Sequence, residues 1–342
     1  MVPNVLAAIA AFGAMIFFHE LGHFLMAKRA GVRVHAFALG FGPQLIGWRR
    51  GETKYTLNLL PFGGYVRMEG EDEGSTGEGS FRVKSVGARM AIIVAGPLMN
   101  LLSAVVILAI AAAVFGEPTG PSNRVGTVEP GWPARAVGIE PGDAIVAIDS
   151  VPMTTGDQVI ETIHKSAGRA LVLTVRRQDR EFTVTVTPCL DETRGVGRIG
   201  FQPLPVLTRV NPLQALGLGV RRTGEFIVLL FGAVRTLARD GKFFESLGGP
   251  VAAGNMLAQT ASTGVQAFLN VAAFLSVMIG IFNLLPIPAL DGGRLAFLLG
   301  EAVRRRPLLD ARKEGLVHTV GFALLLLLLF GVTLRDFRRL FP

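Results

Sequence analysis

Cysteine is almost missing from these 342 residues: Cys189 stands alone, which excludes an intrachain disulfide and leaves any exported portion to hold together by its own core. Nor does Cys189 have the His and Asn context of a nucleophile. Charged residues are scarce as well, at 18% against 50% hydrophobic, with a mean hydropathy of +0.47. That balance excludes an ordinary soluble protein and fits several membrane spans plus a polar domain. What charge there is leans positive, +8 at neutral pH. The basic residues are scattered or flank apolar runs, as residues that orient spans against anionic lipid do, so nucleic-acid binding is not expected. The start Met-Val-Pro-Asn lacks the basic region of a signal peptide, and positive charge follows the first apolar run at Lys28 and Arg29. The expectation is a retained span with its N-terminus outside.

That first run, Val2 to Ala27, has no charge before Phe18 and carries His19-Glu20-Leu21-Gly22-His23 in its C-terminal half. Two histidines four residues apart leave a helix on one face, so their imidazoles can grip one zinc ion with Glu20 beside it as a base. A lone His-x-x-x-His pair is more often packing. The intervening glutamate and the hydrocarbon-length setting point instead to zinc hydrolysis inside a membrane.

Downstream, Lys28 to Arg89 holds ten Lys and Arg residues and belongs on the cytoplasmic side. Within it, Phe37 to Ile46 and Lys54 to Arg67 read as strands or hairpins, either a self-contained surface loop or a non-helical element dipping towards the site. Glu69 to Gly79 reads as an acidic, mobile tip. A second span, Ala91 to Phe115, contains Gly96-Pro97 and Asn100, the asparagine being an ordinary interhelical hydrogen-bonding residue on pattern alone. Gly116 to Pro188 turns soluble, and 116–210 is expected to form a domain plus linker. Asn211 to Gly241 has no uncharged run long enough to cross and reads as an amphipathic, interfacial helix. Spans three and four are expected at about Phe268 to Leu290 and Leu316 to Leu334. The resulting segments are 1–115, 116–210, 211–245 and 246–342.

Topology supplies a third ligand. With the N-terminus outside, the first and third spans run in the same direction, so their C-terminal ends share a depth. His19 and His23 precede Lys28 by nine and five residues, roughly 8–14 Å of helix. Asp291 precedes Arg294 by three, after a helix expected to break at Pro286 and Pro288. An aspartate there is a functional candidate with zinc as its partner. Two histidines and one carboxylate leave a fourth position for water, as catalytic zinc sites do.

The segment Gly131-Trp132-Pro133-Ala134 through Gly138-Ile139-Glu140-Pro141-Gly142-Asp143 to Ile148-Asp149 resembles a PDZ domain of the bacterial protease type, an α+β fold that binds an extended peptide or chain end by strand addition. Together with His19 to His23, Gly96-Pro97-Leu98-Met99-Asn100 and Asn283 to Gly293, it makes the chain similar to the bacterial site-2 protease family, in its RseP-like branch. The resemblance implies a polytopic α-helical membrane protein of about four transmembrane helices, with a membrane-associated β-loop at Gly63 to Met68 and the PDZ insert outside a bacterial inner membrane. It implies Zn2+ on His19, His23 and Asp291, Glu20 activating water, and Asn100, Asn283, Gly64, Tyr65 and Val66 orienting substrate or the β-loop. Leu247-Gly248-Gly249-Pro250 is similar to the family's pre-span segment. The implied substrates are single-span membrane proteins already cut on the outer side, anti-sigma factors and signal-peptide remnants among them. Family members with two tandem PDZ domains differ from this chain, which has room for one. Two other classes compete. An inactive PDZ scaffold has no need of His19, Glu20, His23 and Asp291 together, and a metal transporter is expected to show an inverted repeat of broken helices that is absent here. The oligomeric state is left open.

Overall fold

The computed structural model describes residues 2–71, 77–241, 248–306, 308–309 and 311–340, and among them two compact units, Met1–Ala113 with Asn211–Pro342, and Val114–Val210.

The first unit is built on helices. Among the described residues, four are long and apolar enough to cross a membrane: α1 (Val2–Arg29), α2 (Val86–Phe115), a third at Val265–Asn283 and, within the helix Ala311–Leu340, the stretch Lys313–Asp336. α1 and α2 meet through small residues. A Cβ on Gly22 would lie 2.2 Å from the Ala95 carbonyl oxygen, so only glycine admits this backbone approach. The third span ends at Asn283, short of the Leu290 read from the sequence. Pro286 and Pro288 cannot extend a helix, and the chain turns through residues 284–290 before a new helix starts at Asp291.

Between α1 and α2 lie β1 (Val34–Arg50) and β2 (Thr53–Met68), each folded on itself to give two paired runs. Ala36–Leu39 sits between Lys54–Leu57 and Gly64–Arg67, and Lys54–Leu57 pairs in turn with Ile46–Arg49. Gly64–Met68 is therefore an edge whose outer side pairs with no strand among the described residues. The sheet is anchored by Val34, Phe37, Val66 and Met68, which bury against Ala27, Ile92 and Ile93 of the two helices. Leu45, Ile46, Trp48, Leu59 and Leu60 stay exposed, as befits an element that touches lipid. The centre of the acidic stretch, residues 72–76, lies outside the described residues, and its flanks are tied down: the Arg33 N–H donates to Gly79 and the Phe81 N–H to Glu69.

α5 (Pro212–Arg239) starts from a capping box of Asn211 and Gln214 and buries Ala215, Leu218, Gly219 and Thr223 on one face, the amphipathic helix expected from its charges. α6 (Pro250–Thr263), α7 (Val265–Asn283), α8 (Asp291–Arg304) and α9 (Ala311–Leu340) complete the unit. The buried Asp336 of α9 accepts the N–H groups of Gly249 and Ala252, a carboxylate at the positive end of α6. Gly249 lacks the Cβ that would fill that space, which accounts for part of the Gly-Gly-Pro segment; Leu247 lies outside the described residues.

The second unit is a PDZ fold. Its main sheet runs β10 (Phe201–Thr208), β3 (Glu117–Val128), β4 (Ala144–Ile148), β6 (Leu171–Arg177), β7 (Arg180–Val186), with β5 (Val151–Pro152) on β4. The helices are α3 (Pro133–Ala136) and α4 (Gly156–His164), and β8 (Cys189–Asp191) pairs with β9 (Val196–Arg198). Ile139, Ile145, Ile148, Val159, Leu171 and Leu173 form the core. Asp143, at the end of the Pro-Gly-Asp turn, accepts the Glu140 N–H and both Nε and Nη2 of Arg177. Burial pushes its carboxyl up, and the hydrogen bonds from Arg177 and Glu140 outweigh that and hold it below the usual carboxylate range.

Residues after Pro188, read from the sequence as linker, supply β8, β9 and β10. Pro203 and Pro205 lie in this strand, and an edge strand tolerates proline where the N–H faces away from its partner. Here it does. The carbonyls of Gly200, Leu204 and Val206 face β3, accepting from the Glu129 N–H, Ser122 Oγ and Thr119 Oγ1. Alternation along the strand turns residues 201, 203, 205 and 207 outward.

Candidate metal centre

α1 presents His19 and His23 one turn apart, and the turn before α8 returns Asp291 to the same spot. His19 Nε2 lies 3.2 Å from His23 Nε2, and Asp291 Oδ2 lies 3.1 Å from the first and 3.3 Å from the second. Both histidines are buried. Gly292 is what allows the turn: a Cβ there would sit 2.2 Å from the Leu285 carbonyl oxygen. The His318 ring on α9 accepts the Ala289 N–H at 3.2 Å and so steadies the same turn, a role that no local sequence signal announces.

The donor chemistry fits a cation. His23 Nδ1 is 2.9 Å from the Ile92 carbonyl oxygen, which can only accept, so this nitrogen carries a proton, and in the neutral ring that leaves the Nε2 lone pair directed into the triangle. Asp291 Oδ2 is buried with no hydrogen-bond donor. With both rings neutral, the converging lone pairs repel unless a metal ion takes them. Zinc ligands 2.0–2.1 Å from the ion are about 3.4 Å apart when tetrahedral, and the triangle has nearly that edge. His19, His23 and Asp291 therefore fit zinc and leave its fourth position open.

The helix packing around the triangle is tight. A Cβ on Gly96 of α2 would lie 2.2 Å from His23 Nε2, so this glycine makes room for the imidazole. Pro97, next in the helix, removes an N–H from the α2 ladder where the two helices cross. Asn100 is wholly buried, with its side-chain nitrogen 3.3 Å from His19 Nδ1. Gly64, on the open edge of the β1–β2 sheet, lies against Glu20: its Cβ would be 2.9 Å from Glu20 Cγ. Tyr65 stacks on Phe41 with Arg67 over its ring, and Val66 points into the core beside Phe37. Asn283 closes α7 and donates to the Ile279 carbonyl of its own helix at 2.9 Å. The structure thus gathers His19, His23, Asp291 and Asn100, sets the Gly64 run beside Glu20, and leaves Asn283 bonded within α7.

Lone-pair donors assembled this way on membrane-length helices, with a glutamate in the same helical turn, define the class of membrane-embedded zinc metallopeptidases. Comparison with known proteins agrees: residues 7–328 match the model of peptidase family M50, and the chain belongs to that family. It is similar to the zinc metalloprotease RasP of Geobacillus kaustophilus, at 33% identity over 99% of this chain and 98% of the relative. A putative zinc metalloprotease of Clostridium perfringens is 36% identical over 97% and 98% of the two chains. The regulator of sigma-W protease RasP of Bacillus subtilis is 31% identical over 99% of each. The chain is accordingly a membrane zinc metalloprotease.

Proposed function

We propose that this protease hydrolyses a peptide bond within or near the transmembrane segment of single-span membrane proteins, with His19, His23 and Asp291 holding zinc and Glu20 acting as the base. The observation that carries the reading is the convergence of ligand atoms of His19, His23 and Asp291 within 4.8 Å of one another, the two histidines buried on a helix long and apolar enough to cross a bilayer. Zinc, when bound, supplies a Lewis acid that polarises the scissile carbonyl and lowers the pKa of water from about 15.7 towards 7. Glu20 takes the proton of the attacking water and hands it to the leaving amine. The test is cleavage of a single-span model substrate by the purified chain with and without a zinc chelator. Cutting within the span that stops on chelation and returns with zinc is expected. Cutting that persists without zinc would sink the proposal.

A transmembrane helix shields its own peptide bonds by hydrogen bonding, so the substrate must unwind before Glu20 can serve it. The open edge at Gly64–Met68 gives the freed backbone groups new partners beside that glutamate. Val66→Pro, which removes an N–H and distorts this run, is expected to cut the cleavage rate at least tenfold while zinc content stays at the wild-type level. Unchanged cleavage would show that substrate does not use this strand.

The likeness to a regulator of sigma-W protease supports an anti-sigma factor as a native substrate, with signal-peptide remnants as a second of the same chemistry. Lys28, Arg29 and the basic residues around the β1–β2 sheet support a bacterial inner-membrane topology with that sheet inside and the PDZ unit outside. There the PDZ unit screens for substrates already shortened. The outer edge of β10 offers no N–H at Pro203 or Pro205, which supports exclusion by size over long strand addition. An inactive scaffold is disfavoured by the convergence of His19, His23 and Asp291 on one point.

A further inference from the structure

Asn100 raises a question of donors and acceptors. Its Nδ2 is the atom 3.3 Å from His19 Nδ1, while its Oδ1 is buried without any hydrogen-bond partner. The two ends of a carboxamide have nearly the same shape, and which end points where is decided by the hydrogen-bond network. For His19 Nε2 to offer a lone pair to zinc, the neutral ring must carry its proton on Nδ1, and that N–H needs an acceptor. An amide nitrogen cannot accept it. Turning the Asn100 carboxamide by 180° sets Oδ1 against Nδ1–H and gives that buried oxygen a donor. His23 shows the same logic already satisfied, with Ile92 as the acceptor.

We infer that Asn100 is a positioning residue for the metal centre: its Oδ1 accepts the His19 Nδ1–H and holds the ring in the tautomer and orientation that direct Nε2 to zinc. This differs from the substrate-orienting role that the family resemblance implied for it, and it rests on His19 being a zinc ligand. The surroundings are built to keep Asn100 still. Its backbone carbonyl, Ser103 Oγ and Ser276 Oγ form a closed triangle with sides of 2.8, 2.9 and 2.9 Å. Ser276 belongs to α7 and is wholly buried. On the same helix, a Cβ at Gly280 would stand 3.3 Å from Asn100 Cβ, so α7 lies close against this turn of α2. The helix that leads to the Asp291 turn thereby also fixes the residue that orients His19. Both arms of the centre are set by one helix crossing.

The test uses the full-length chain in detergent, stripped of metal and titrated with zinc against a chromophoric chelator. Asn100→Asp, which keeps an oxygen acceptor, is compared with Asn100→Ala and Asn100→Leu, which do not. Loss of an outer hydrogen bond to a ligating histidine costs roughly 10- to 100-fold in metal affinity. That loss is expected for the Ala and Leu variants, with a rise in Tm on zinc addition smaller than in wild type, metal-free Tm values being matched. Asn100→Asp is expected to retain wild-type affinity or better, and the visible bands of its Co2+-loaded form should stay close to wild type while those of Asn100→Ala move. Equal zinc affinity and identical Co2+ bands in Asn100→Ala and wild type would overturn the inference, as would an Asp variant as weak as the Leu variant. His19→Ala separates the layers: zinc binding undiminished in that variant would overturn the ligand assignment beneath it, whereas its loss together with an unaffected Asn100→Ala would overturn the role of Asn100 alone.

Discussion

Glu20→Gln is expected to lose roughly 100- to 10,000-fold in the rate of peptide hydrolysis, the range over which a positioned general base contributes, while binding zinc with the stoichiometry of wild type. The substitution keeps the shape of the side chain, so the packing of Glu20 against Gly64 survives. It removes only the group that can take a proton at neutral pH. Hydrolysis of a single-span substrate, read beside zinc content by elemental analysis, separates chemistry from metal loading. A Gln variant that cuts within a few-fold of wild type would mean that the proton leaves by another route, and Glu20 would lose its role.

Gly96→Ala should damage the same activity by a different path. The added methyl would lie 2.2 Å from His23 Nε2 and 2.6 Å from Cε1 of that ring, far inside contact distance. Backbone cannot yield there, because α1 and α2 already touch at Gly22 and the Ala95 carbonyl. The imidazole must swing out of the triangle, breaking its bond to Ile92 as it goes. Zinc affinity is expected to fall by more than the roughly 10- to 100-fold typical of outer-shell changes, since the ring proposed as a ligand is itself displaced. Gly87→Ala is the control on the same helix, where an added Cβ meets nothing within 4 Å. Equal zinc affinity in Gly96→Ala and Gly87→Ala would show that the ring has room the structure does not give it.

These two residues mark what the sequence could and could not tell. Glu20 could be singled out because the helical repeat alone puts His19 and His23 on one face beside it, a reading that needs no tertiary knowledge. Asp291 was reached only through depth in the membrane, and its geometry was partly misjudged: the span ends at Asn283, and the carboxylate arrives on a returning turn that Gly292 and His318 shape. A glycine such as Gly96 in a span lets another helix come close, but that the imidazole of His23 fills the space is a fact of three dimensions. The asparagines show the same limit. Asn100 and Asn283 look alike in a sequence, yet one faces His19 and the other bonds to its own helix. In the PDZ unit the Gly-Ile-Glu-Pro-Gly-Asp run was readable because Asp143 satisfies its own turn at Glu140, a local event. β10 was not, since the stretch after Pro188 carries no strand signal of its own until a partner strand shows which way each backbone N–H faces.

The two prolines of β10 bear on life in a crowded membrane. An unprotected sheet edge is a template on which a second chain can continue the ladder, and repeated copies held in one plane meet each other often. β10 ends the PDZ sheet. With Pro203 and Pro205 turned outward, two of its four outward positions have no hydrogen to give. Neighbouring molecules that brush against this edge meet a ladder interrupted at two of its four outward positions, a block to edge-on pairing that needs no charged gatekeeper on the strand.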